Sequence, residues 1–186
     1  MRQNKQKALD KIAEEIKLCR ICKKDKIGLA VPGEGNPNAK IVFIGEAPGK
    51  TEAKTGRPFI GRSGKLLRSL IQKAGLDDVK DVYITSPVKY LPKHGTPTPL
   101  EIAHGRKHLN DQLNVIQPKY LVLLGRVAAL ALLEENLSVA ALHGTVREKN
   151  GRNYFLTVHP AAALRFIKMK DLLFKDFRYL KGLIKE

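Results

Sequence analysis

Apolar positions along the chain follow two rhythms. Ile41-Val42-Phe43-Ile44, Val82-Tyr83-Ile84-Thr85 and Tyr120-Leu121-Val122-Leu123-Leu124 are short continuous runs, the pattern of strands buried on both faces. Tyr154–Val158 predicts a fourth strand, paired with Thr145–Glu148 through a hairpin turn at Asn150-Gly151. Between the runs the period lengthens to that of a helix. Leu9, Ile12, Ala13 and Ile16 predict an amphipathic helix over 5–18, and Leu66, Leu67, Leu70 and Ile71 another, capped by Ser63 and stopped near Gly75. Further helices are predicted over 100–116, 127–135 and 171–185. Alternation of strands and helices gives an α/β fold. The expected architecture is a three-layer αβα sandwich around a central four-stranded, mostly parallel sheet. Residues 1–186 form one domain in this reading, with the terminal helices packed on it.

In such a fold the loops that follow the strands converge on one edge of the sheet. Here those loops are Gly45–Phe59, Ser86–Pro99, Gly125–Arg126 and His159–Arg165. Charge then narrows the partner. The chain carries 34 basic and 18 acidic side chains, a formal net charge of +16, which suits a polyanion such as DNA and also suits a lysine-rich solvated surface. No apolar run reaches the length of a membrane span, and the N-terminus lacks the apolar stretch of a signal peptide, so a cytoplasmic protein without a membrane partner is expected. Cys19 and Cys22 are the two cysteines. They cannot build a disulfide framework or supply four thiolates to a metal.

Two segments carry chemistry. Gly45-Glu46-Ala47-Pro48-Gly49-Lys50-Thr51-Glu52, continuing through Gly56–Leu67, combines close-approach glycines, a carboxylate at a strand end and an aromatic, Phe59, in a glycine-rich loop. It nearly spells a phosphate-binding loop, but three residues separate Gly45 from Gly49 where that motif needs four. His159-Pro160 follows the last strand directly, which would hold a neutral imidazole at the cleft, ready to donate to developing negative charge. Read from the residues alone, Phe59 could instead anchor a surface loop and His159 could cap core structure.

These blocks, with Val31-Pro32-Gly33-Glu34-Gly35, Val88-Lys89, Pro97-x-Pro99-x-Glu101, Leu124-Gly125 and Ala161-Ala162 with Leu164-Arg165, resemble the family-four uracil-DNA glycosylases over about residues 18–166. The resemblance implies hydrolysis of the N-glycosidic bond of uracil, and potentially other deaminated bases, in single- or double-stranded DNA after base flipping. It implies that Glu46 positions water and stabilises the cationic sugar, and that His159 hydrogen-bonds the uracil oxygen that gains charge. Ala47 and Ser86 would line the base pocket and Phe59 would stack on the base. Glu52 matches a second acidic position. Leu164 and Arg165 would meet the DNA at the flipped nucleotide, and Arg57, Arg62, Lys65 and Lys89 would hold its backbone. A monomer is expected.

Two departures stand out. The family reads the base with asparagine where this chain has Ser86. The family also holds a 4Fe-4S cluster on four cysteines. Cys19 and Cys22 match the first pair, whereas Tyr90 and Gly105 fall at the other two positions. The expectation is therefore free thiols and no cofactor, with Tyr90 filling the space. A retained cluster would have to draw on His94 and His104. Two other readings follow from the same residues: a DNA-binding relative with weak or no turnover, and a nucleotide hydrolase using the near phosphate loop.

Overall fold

The fold was described from a computed structural model, which describes residues 2–184. In chain order the elements are α1 (Arg2–Leu18), α2 (Arg20–Lys23), β1 (Lys26–Ile27), β2 (Glu34–Gly35), β3 (Ile41–Ile44), α3 (Lys50–Thr55), α4 (Arg62–Lys73), β4 (Val82–Thr85) and β5 (Leu91–Pro92). They continue as α5 (Pro99–Ile116), β6 (Tyr120–Leu124), α6 (Arg126–Leu133), α7 (Val139–Leu142), β7 (Thr145–Lys149), β8 (Arg152–Thr157), α8 (Pro160–Ala163) and α9 (Ile167–Leu183). The C-terminal helix begins four residues before its expected start, and its expected end at Lys185 lies outside the described residues.

The four strands of the sequence reading form the centre of the sheet, in the order β4-β3-β6-β8, all parallel. The sheet is wider than expected. β2 adds antiparallel to β4 and β7 adds antiparallel to β8, giving six strands, while β1 and β5 pair separately. The β7–β8 turn lies at Asn150-Gly151, both with positive φ (52° and 71°), as a tight hairpin of this sequence requires.

Side-chain alternation along the strands sorts the core into two layers. Val42, Ile44, Leu121, Leu123 and Leu156 pack with Leu9, Ile12 and Ile16 of α1, Leu109, Leu113 and Ile116 of α5, and Leu132 of α6. On the other face Ile41, Phe43, Val122, Leu124 and Phe155 pack with Leu67, Leu70 and Ile71 of α4 and with Leu173, Phe177 and Leu180 of α9. Phe43 stacks on Phe177, with ring centroids 5.9 Å apart. A helix layer thus covers each face, as the three-layer expectation required. Among the described residues no helix is long and apolar enough to cross a membrane.

Capping follows the sequence in one case and not in another. Thr98 and Glu101 form a full capping box at the start of α5, with proline at its first turn. Ser63, expected as a cap, lies inside α4, whose N-cap is Gly61 without a side-chain bond. The helix starts earlier because Gly61 N–H is already engaged by a side chain from α3, described below.

A buried carboxylate ties α9 to the sheet. Asp176 accepts from Thr157 Oγ1 (2.6 Å) and from His143 Nδ1 (2.7 Å), and only 1% of it is exposed. Removing it strands the buried Thr157 hydroxyl and releases the partly exposed His143, at a cost of about 2–4 kcal/mol. Asp176→Ala is therefore expected to lower the thermal midpoint by roughly 5–15 °C, measured by circular dichroism; a change within 2 °C, on the order of experimental scatter, would show that apolar packing alone seats α9.

Candidate active site

The C-terminal ends of the parallel strands deliver Glu46 after β3, Ser86 after β4, Arg126 after β6 and His159 after β8. Their edges are stitched together by Gly45 N–H to the Thr85 carbonyl and Gly125 N–H to the Thr157 carbonyl, both 2.9 Å. The result is a cleft of about 520 Å³ lined by Glu46, Ala47, Glu52, Phe59, Ser86 and His159 among others, with Arg165 and Phe166 on its wall. Its size suits a small organic ligand.

Phe59 is presented by a constrained loop. Its backbone lies in the left-handed region, φ 51°, which costs a non-glycine residue on the order of 1–3 kcal/mol. Two charged side chains hold it there. Glu52, buried on α3, accepts from Ile60 N–H (2.9 Å) and Gly61 N–H (2.7 Å) through one oxygen. From the other side Arg68 donates to the carbonyls of Pro58 and Phe59, both 3.0 Å, and is itself paired with Glu34 and Asp78. The aromatic ring then lies over Gly45, where a Cβ would come within 2.5 Å of the ring. Phe59 and His159 rings are 5.9 Å apart, tilted by 33°.

Two titratable groups of the cleft, His159 and Glu46, are perturbed. His159 caps α8, and its Nδ1 accepts from Ala161 N–H at 3.1 Å. A bare Nδ1 places the proton of the neutral ring on Nε2, which lies beside Gly45. Burial lowers its pKa to about 4, so the ring is neutral across ordinary pH. Burial pushes the Glu46 carboxyl above its usual range, and the Arg126 guanidinium pulls it partly back. Ser86 is buried, and its hydroxyl donates to the Val88 carbonyl at 2.8 Å, which leaves its oxygen free only to accept. The cleft can therefore offer a neutral N–H donor, a carboxylate, a hydroxyl acceptor and an aromatic face to one ligand. It is not a phosphate cradle. Pro48 lacks an N–H, and the Glu46 carboxylate shares the space.

Over this same stretch the profile of the Uracil DNA glycosylase superfamily matches residues 32–181. The chain belongs to that superfamily. Among its relatives, the Type-4 uracil-DNA glycosylase of Saccharolobus solfataricus is 40% identical over 184 residues, covering 93% of this chain and 85% of the relative. That of Archaeoglobus fulgidus is 38% identical, covering 92% and 90%, and that of Thermotoga maritima 33% identical, covering 98% and 97%.

For this member of the uracil-DNA glycosylase superfamily, the candidate nucleic-acid contacts separate into three groups. Leu164, Arg165, Phe166 and, at the start of α9, Ile167 stand exposed, with Phe166 61% and Ile167 82% exposed; of these Arg165 and Phe166 line the cleft. Sequence reasoning named only the first two. Arg62 and Lys65 are exposed on α4, outside the cleft lining, and Arg57 is exposed but paired with Glu34. Lys89 is a correction. It is 1% exposed and bonded to Pro32 O, Thr85 Oγ1 and Gln112 Oε1, so it braces the interior and cannot reach a backbone phosphate. Arg68 and Arg126 were given no role by the sequence, because each acts on residues distant in the chain.

The four-thiolate cluster of the family-four resemblance does not fit. Tyr90 is buried against Cys22 in the core. At Gly105 a Cβ would come 2.1 Å from the Pro87 carbonyl oxygen, so no side chain has room there. His94 is exposed and lies outside the group around the cysteines, which His104 joins.

The geometry of the Phe59 loop makes a testable demand. Glu52→Ala removes a charged acceptor worth about 1.5–3 kcal/mol, so hydrogen exchange at the Ile60 and Gly61 amides should accelerate roughly 10- to 100-fold. Unchanged protection, read by NMR, would show that the loop is held without the carboxylate.

Proposed function

We propose that this chain is a DNA-repair glycosylase that hydrolyses the bond between uracil and its deoxyribose after the nucleotide is turned out of the stack. The observation that carries the reading is the single cleft that brings together Glu46 and Phe59, from the connection between β3 and α4, with His159, from the loop after β8. The names of the relatives agree with it, since each is a uracil-DNA glycosylase.

In this reading the flipped base stacks on Phe59. The N1–C1′ bond breaks with its electron pair leaving on the base, so positive charge grows on the sugar and negative charge on uracil. The Nε2–H of His159 donates to the uracil oxygen that gains charge. A ring that is already neutral stays a donor throughout, without having to lose a proton first. Glu46 in its ionised form faces the sugar, stabilises the cation, orients the water that adds to C1′ and accepts the proton that water loses, which solvent then returns to the departing uracil anion. Ser86 accepts from the uracil N3–H, a contact that cytosine, bare at N3, does not return. A lone hydroxyl reads less of the base than an amide would, so other deaminated bases with a protonated ring nitrogen are admitted too. Leu164 with its neighbours Phe166 and Ile167 enters the gap left by the base, and Arg165, Arg62 and Lys65 hold phosphates.

The direct test is incubation with a uracil-containing oligonucleotide followed by alkali. Strand scission at uracil is expected; tight binding without scission would instead support a binding protein. Glu46→Ala and His159→Ala should each lose about 100- to 1,000-fold in rate with DNA binding retained, and a wild-type rate in either would refute its assigned role.

The pH profile gives a second check. Glu46 acts ionised, so activity falls as pH drops through its raised pKa, while His159 titrates only near 4. Arg126 lowers the Glu46 pKa. Arg126→Ala should therefore move the acid limb of kcat to higher pH, by roughly half a unit or more. An unmoved limb would remove Glu46 as the group that sets it.

A further inference from the structure

Outside the cleft, four metal-ligating side chains converge at the other end of the β4–α5 connection. Cys19 caps the one-turn helix α2 and Cys22 lies within it, and His104 and His108 occupy positions i and i+4 of α5. That spacing sets both imidazoles on one helix face. One ligand atom from each of the four lies within 4.8 Å of every other, and Cys19 Sγ is 3.2 Å from His104 Nε2. We infer that these four residues bind one tetrahedral divalent ion of the zinc type, in a site that shares Cys19 and Cys22 with the family-four cluster pattern but differs from it in ligand set and in the group held, and that lies apart from the catalytic cleft.

Three observations carry this inference. The first is size. Four ligands about 2.0–2.3 Å from a single ion stand about 3.3–3.8 Å apart, a modest contraction of the arrangement found here. Ligands to an iron–sulfur cluster stand wider, because the cluster's own iron and sulfide atoms lie between them. The second is an unmet need. His108 is buried, and neither of its ring nitrogens has a hydrogen-bond partner, an unfavourable state for a polar group in the interior. Coordination supplies a partner. The third is the chemistry of the set. Two thiolates balance the charge of a divalent ion, two neutral imidazoles complete the tetrahedron, and Cys-x-x-Cys beside a histidine pair is a recurrent structural zinc set. Cys22 N–H donates to Cys19 Sγ at 3.4 Å, orienting the first thiolate as outer-shell bonds do around bound metal.

The ion would tie α1 and α2 to α5, which makes it a structural staple. The site closes with four protein ligands and leaves no position for a reacting water.

The test uses the full chain, produced with both zinc and iron supplied. Elemental analysis and acid-labile sulfide should give about one zinc per chain with little iron or sulfide. In chelator competition His108→Phe should weaken zinc binding by roughly 100-fold or more, and the Cys19→Ser, Cys22→Ser pair should abolish it. Stripping the metal should lower the thermal midpoint by about 5 °C or more. Stoichiometric iron with sulfide, or a wild-type protein that neither contains zinc nor takes it up, would overturn the inference. Should the variants not fold, cobalt(II) added to metal-stripped wild type decides the matter. Intense thiolate charge-transfer and tetrahedral d–d bands are expected, and the weak bands of octahedral cobalt would overturn the assignment.

Discussion

A buried carboxylate that accepts from two successive backbone amides underlies the base-facing half of the cleft. Glu52 takes the N–H groups of Ile60 and Gly61, which the turn at Phe59 directs inward away from any regular partner. Without an acceptor, those amides would favour a loop that swings out to water, and Phe59 would leave its left-handed backbone. Arg68 completes the clamp from the carbonyl side. The strain in the loop is thereby offset by charge-assisted bonds, and the ring is fixed against Gly45 and His159 before any ligand arrives. Glu52 lines the cleft and also shapes it through the loop, by fixing the backbone that carries Phe59.

Burial acts on His159 and Glu46 alike, with opposite usefulness. It favours the uncharged form of each. For His159 that form is the donor the proposed chemistry needs, and a backbone amide fixes its tautomer. For Glu46 the uncharged form is the one the proposed chemistry cannot use, so a countercharge is called for. Arg126, the first residue after the glycine that ends β6, supplies it. One loop edge of the sheet thus sets the protonation of a group on another, a coupling available only where parallel strands present all their loops on one side.

Much of this was legible from the residues. β3, β4 and β6 begin and end where their apolar runs do, because a strand covered on both faces has no polar position to blur its limits. Glu46, Phe59 and His159 were singled out because they sit in glycine- and proline-rich segments that follow such runs, whereas Ser86 came from the family resemblance; all four line one cleft. The edge strands were harder. β2 is two residues long and is defined by its partner β4 and not by any pattern of its own. Lys89 was misread because a lysine's sequence neighbours do not reveal Gln112, 23 residues on, waiting for it in the interior. His108 was missed in favour of His94, which is nearer the resembling block. The i, i+4 pairing with His104 on a confidently capped helix was the available signal, and only the approach of α2 gave it a meaning.

The contact between Gly105 and Pro87 bears on how such a chain could change its metal chemistry. Helix α5 lies so close to the turn after β4 that position 105 admits only hydrogen, while position 90 is occupied by an aromatic ring in the core. A sulfur-rich ligand set and the histidine set therefore belong to two different spacings of the same helix. On this backbone, thiolates at positions 90 and 105 would need the helix to move outward and the ring to leave, whereas the histidine pair asks for neither.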